Sequence, residues 1–163
     1  MLLRILGRLE TALNLLASTI LFGLMFYVTA EVVMRYLFNR PLPGHLELTQ
    51  LFIAPAVFLA LSYVQEYRGH VGMDLLVERL SRRRRAAVDA FVLLVALATF
   101  VVITWFSWTS AWMSWEMGDV TPTAYLSTWW SKMAVPVGSA LLCVRLALQI
   151  VESVRVALGG DRR

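Results

Sequence analysis

Charged residues are absent from Thr11 to Ala30, from Leu48 to Gln65 and from Ala90 to Trp115, and between Trp129 and Val151 they occur only as Lys132 and Arg145, near the two ends. At a rise of about 1.5 Å per residue, each stretch drawn as a helix matches the roughly 30 Å hydrocarbon core of a bilayer. The pattern predicts an all-α integral membrane protein, a single four-helix domain over residues 1–163 with spans at about 11–34, 48–65, 90–115 and 129–151. The third run is longer than a crossing needs, so tilt or projection beyond the bilayer is expected there. Pro55 interrupts the second run and Val135-Pro136-Val137-Gly138 the fourth, which is expected to bend. Neighbouring helices accommodate such breaks inside membranes.

The connections are patterned too. Met1 to Glu10 sets Arg4 and Arg8 on one face among leucines and an isoleucine, which suits a short helix lying on the membrane surface. Val28-Thr29-Ala30 is tolerable as a signal-peptidase site, but the apolar run before it exceeds the usual signal core of about 7 to 15 residues, so an uncleaved span is expected. Between the second and third spans, Met73, Leu76, Val77 and Leu80 recur at helical spacing opposite Asp74, Glu78 and Arg82. That reads as a second amphipathic surface helix, running into the cluster Arg82 to Arg85. Of the Lys and Arg residues, only Arg35, Arg40 and Lys132 fall on the surface opposite the N-terminus. By the positive-inside bias both termini are cytoplasmic.

Composition agrees with this frame. Hydrophobic residues make up 59% of the 163-residue chain and charged residues 16%, and the mean hydropathy is +0.67, far from a soluble domain. The net charge of +4 is distributed loop by loop, as topology requires, and does not point to nucleic acid. A single cysteine, Cys143, excludes an internal disulfide or a cysteine metal cluster.

Candidate chemistry gathers at the turn between the first two spans, EVVMRYLFNRPLPGHLE. Glu31 and Arg35 stand four residues apart, acid before base, the favourable order for a helical pair. Glu47 returns a carboxylate to the same surface. Trp105, Trp108, Trp112 and Trp115 are spaced three, four and three apart and share one helix face, either an interfacial belt or a packing seam against another chain. His45 and His70 fall on opposite surfaces, so they cannot share a haem, and no metal motif, phosphate loop or nucleophile elbow occurs. No catalytic residue, substrate-binding residue, metal or cofactor is expected. With no acid or base expected in mid-span, a transport path through this chain alone is disfavoured. A small proton-coupled exporter acting as a homodimer through Glu31 stays open as the alternative, and a haem-bearing oxidoreductase anchor is disfavoured by the separated histidines.

Glu31, Arg35, Tyr36 and Phe38 at the exit of the first span, Glu47 entering the second, Arg68, His70 and Asp74 after it, and Pro136 with Gly138 in the fourth resemble the small, DctQ-like membrane subunit of tripartite ATP-independent periplasmic (TRAP) transporters. The resemblance covers nearly the whole chain. One departure is Gly44-His45, where that family commonly has a tryptophan before the glutamate. The resemblance implies a four-span subunit of the bacterial inner membrane with cytoplasmic termini. It implies two protein partners, a large membrane subunit that carries substrate and sodium and a periplasmic binding protein that delivers an organic acid, often a carboxylate. The small subunit then scaffolds and holds neither substrate nor ion. Glu31, Arg35, Tyr36, Glu47, Arg68, His70, Asp74 and the four tryptophans are its candidate structural or partner contacts. Membrane lipid is a further partner, through the arginines around Met73 to Arg85, although a topology signal alone accounts for them.

Overall fold

The structure, a computed structural model, describes residues 2–66 and 82–157. The described residues form four α-helices, α1 Leu2–Phe38, α2 His45–Glu66, α3 Arg82–Met117 and α4 Trp129–Ala157, each long and apolar enough to cross a membrane. Pro55 lies within α2 and Pro136 within α4. The expected surface helix at the N-terminus is not separate, because α1 runs without a break from Leu2 through the first span. Nothing in Met1–Glu10 stops a helix, and Glu10 turns into the protein rather than toward a membrane surface. The second expected surface helix lies mostly outside the described residues, and Arg82 to Arg85 open α3.

Local chemistry sets the helix ends. α1 stops where Asn39 takes a left-handed conformation (φ 51°), ahead of Pro41 and Pro43, which have no amide proton to donate. α3 stops at Gly118 (φ 66°), with the Asp119 amide donating back to the Ser114 carbonyl at 3.1 Å, the six-to-one bond of a glycine-capped helix. The 118–128 connection then folds on itself through a bridge between Val120 and Ser127, and through the Thr121 amide donating to the Leu126 carbonyl at 2.9 Å.

The helices pack in a row, α1 on α2, α2 on α4 and α4 on α3, rather than closing into a four-sided bundle. In the middle, α2 and α4 run parallel and touch at three levels. Ser131 donates to the Leu51 carbonyl at 2.6 Å, Gly138 faces the Phe58 carbonyl, and Gln149 donates to the Gln65 carbonyl at 3.0 Å. Small residues let helix backbones approach closely where lipid supplies no hydrophobic drive between helices, and Ala17, Ala56, Ser62, Gly138 and Ser139 play that part here. α1 and α3 flank the pair, antiparallel to it. The start of α1 therefore lies at the same end of the row as the ends of α2 and α4, and we call this the terminal end. The opposite end carries the 39–44 and 118–128 connections, and we call it the turn end. The most apolar stretch of α3 has none of its residues buried.

Candidate functional site: two polar nodes and an exposed tryptophan face

At the turn end, Glu31 is 2% exposed and has Arg35 Nε at 3.5 Å and His45 Nδ1 at 3.8 Å from its Oε1. The i, i+4 pair expected from sequence thus forms, and His45 joins it from α2. The His45 ring also reaches the Leu42 carbonyl at 3.1 Å, tying the α1–α2 turn to its own helix start. The Arg35 guanidinium lies 5.3 Å from the centre of the Tyr36 ring, which is largely exposed.

Glu47 does not join this pair. Its carboxylate turns to the other connection and accepts the amides of Thr123 and Ala124, each at 2.9 Å. Gly44 sits against the same loop, in a left-handed conformation (φ +73°), where a Cβ would lie 2.7 Å from the Ala124 Cβ. The two connections are thereby latched into one platform. Across it, Lys132 Nζ is 3.0 Å from Asp119 Oδ2, and hydrogen bonds from Lys132 and Ser114 hold the Asp119 carboxyl below its ordinary range. Replacing Glu47 by alanine is expected to release the latch. Hydrogen exchange at the Thr123 and Ala124 amides should quicken severalfold, while Arg8→Gln at the far end leaves them protected.

At the terminal end lies a node that sequence reasoning missed. Glu10, with no exposed surface, accepts Ser62 Oγ at 2.5 Å and Arg145 Nε at 3.0 Å on Oε1, and its Oε2 accepts Arg145 Nη2. One carboxylate thus joins α1, α2 and α4 through a two-pronged guanidinium pair. Arg145, expected to extend toward water, is 8% exposed, because Glu10 offers it a partner closer than the membrane surface. Beside the node, Gln65 Nε2 donates to Gln149 Oε1 at 2.7 Å. The signal was present in sequence as one acid after Leu9 early in α1 and one arginine near the end of the last apolar run, but spacing alone does not pair residues so far apart.

The four tryptophans of α3 are all half or more exposed. Trp112 donates its ring N–H to Glu116 at 2.8 Å, and Trp115 meets Trp129 edge to face at 4.4 Å between ring centres. Trp105 and Trp108 face outward. Arg68, His70 and Asp74 lie outside the described residues. Among those described, no group of three or more His, Cys, Asp or Glu side chains is arranged to hold a metal ion.

Compared with known families, residues 10–156 match the model described as Tripartite ATP-independent periplasmic transporters, DctQ component. The chain belongs to the DctQ family. The match begins at Glu10 and takes in α2 and α3 whole, most of α1 and α4, the latch and both polar nodes. A comparison with curated protein sequences finds no match. As a DctQ protein the chain is the small component of a TRAP transporter and a multi-pass membrane protein, in a family that works with a large membrane subunit and a periplasmic binding protein. Transport, rather than catalysis, is the family's business.

Proposed function

We propose that this DctQ chain is the non-catalytic scaffold of a TRAP importer in a bacterial inner membrane. It braces the large membrane subunit, which moves an organic acid, a carboxylate delivered by the periplasmic binding protein, together with sodium. Both termini face the cytoplasm, which puts the Glu47 platform on the periplasmic side, where the binding protein arrives. Arg35, Tyr36 and the tryptophan face are the partner contacts in this reading, with the buried Glu31 holding Arg35 in place.

One observation carries it. Among the described helices α3 packs mainly on α4, and it leaves its most apolar stretch unburied, ending in outward tryptophans. A broad lateral face without polar pathway residues suits a scaffold, whereas carriers keep ionisable groups available within the bilayer. The buried charges here, Glu10, Glu31 and Arg145, face one another or a neighbour within the chain.

The test is purification from native membrane in gentle detergent with mass spectrometry of what accompanies the chain. The expected companion is a large polytopic membrane protein in near-equal amount, and Trp105→Ala with Trp108→Ala is expected to reduce its recovery severalfold. A well-folded monomer on which large-subunit transport does not depend would overturn the proposal. Self-associated copies alone, with efflux lost in Glu31→Gln, would favour the proton-coupled exporter.

A further inference from the structure

A lateral groove runs between α3 and α4 at the turn end. Two adjoining hollows of about 280 and 390 Å³ share Phe106, Ser110 and Lys132 as walls. The groove lies between two helices long and apolar enough to cross a membrane, which makes a membrane lipid a fitting occupant. Its lining is graded. Lys132 and Asp119 stand at the mouth, beside the 118–128 connection, and Phe106 and Val135 lie further along the helices.

Two details separate this groove from an ordinary apolar crevice. The threonines of α3 satisfy their hydroxyls within the helix. Thr99 donates to the Val95 carbonyl at 3.0 Å, Thr104 to Phe100 at 2.7 Å and Thr109 to Trp105 at 3.1 Å. Ser107 and Ser110, which line the groove, make no hydrogen bond to any described residue. A hydroxyl at bilayer depth without a partner is costly unless something beside it accepts its proton. The second detail is at the mouth, where an ammonium and a carboxylate lie side by side and are both partly exposed. Opposite charges so placed are complementary to a zwitterion carrying one phosphate and one primary amine.

We propose that this groove binds a single phosphatidylethanolamine molecule. Its phosphate takes hydrogen bonds from Lys132, and its ammonium donates to Asp119. The Ser110 hydroxyl donates to an ester carbonyl just below, and an acyl chain lies along Phe106 and Val135. The Ser110 hydroxyl and both charges at the mouth then have a partner in the lipid, and the groove needs no helix of another protein to fill it. A glycerol headgroup has no cation for Asp119, and a choline has no N–H to donate, so both fit less well. The lipid would also reinforce the contact between α3 and α4, the main packing of α3 among the described helices.

The full-length chain, delipidated in detergent and examined by native mass spectrometry, provides the test. Phosphatidylethanolamine, phosphatidylglycerol and phosphatidylcholine of identical acyl chains are added separately, with inorganic phosphate as a further arm. One ethanolamine lipid per chain is expected to survive activation that strips the other two, with no retention of inorganic phosphate. Lys132→Met should weaken retention about tenfold, the loss of one charge-assisted hydrogen bond. Because that change also breaks the pair with Asp119, Ser110→Phe serves as the second variant, filling the groove while leaving the pair in place, and is expected to abolish retention. Equal retention of all three lipids, or unchanged retention in both variants, would overturn the assignment. So would crosslinking of a Ser110→Cys chain to the large subunit in the assembled transporter, since a protein helix would then occupy the groove.

Discussion

Replacing Arg145 by alanine is expected to destabilise the chain by about 3 to 5 kcal/mol, the cost of leaving a buried carboxylate without its partner. Glu10 has no exposed surface, and both of its oxygens accept from Arg145, with Ser62 completing one of them. Glu10→Ala takes the carboxylate from the buried guanidinium instead and should also destabilise the chain. The double variant Glu10→Leu with Arg145→Met removes both charges and keeps the volume filled. It is expected to recover most of the loss, because an apolar pair of similar size often replaces a buried ion pair without penalty. Thermal unfolding in detergent of the two single variants and the double measures this directly. Losses that simply add would mean that the two residues act independently and that the node does not hold α1 to α4.

Gly138→Ala is expected to be nearly as damaging, although it adds a single methyl group. A Cβ there would lie 2.3 Å from the Phe58 carbonyl oxygen, 2.6 Å from its carbon and 3.1 Å from the Leu59 nitrogen. All three are backbone atoms of α2, so no side chain can rotate away and the two helices must part. Overpacking of this kind costs about 1 to 3 kcal/mol, and more where the obstacle is rigid. A lowered melting temperature is expected for Gly138→Ala but not for Val137→Ala, one residue away and exposed. A wild-type melt for Gly138→Ala would show that α2 and α4 can separate at no cost.

Much of the architecture was legible in the spacing of charges. Long uncharged runs must be helical in a bilayer, where each backbone group needs an internal partner, so the four helices followed from Thr11 to Ala30 and its three counterparts. The Glu31–Arg35 pair was legible for the same kind of reason, since both residues lie on one helix and period alone brings them together. What was hidden depends on contacts between helices. Glu10 belongs to a segment whose composition suits a membrane surface, and only α4 lying close enough to offer Arg145 turns it inward. Glu47 was recognised as returning to the turn end, but its partners are backbone amides, which carry no signature in residue type. The fourth-span glycine was noticed next to Pro136 as a bend, whereas its consequence is the close approach of Phe58. The Ser107 and Ser110 hydroxyls gave no signal at all, because serine in a span ordinarily bonds within its own helix.

The order of the row also constrains how the chain is assembled during synthesis. α1 and α2 emerge first and can pair at once through Ala17, Ala56 and Leu59. α3 follows, but among the described helices it packs mainly on α4, which has not yet been made when α3 leaves the ribosome. Only when α4 appears do both halves acquire a common neighbour, and with it arrive Gly138, Arg145 and Gln149, the residues that close on α2 and α1. The last helix made is thus the keystone. A nascent chain that ends before it lacks the helix on which both the α1–α2 hairpin and α3 pack, and both are then open to capture by quality-control proteases.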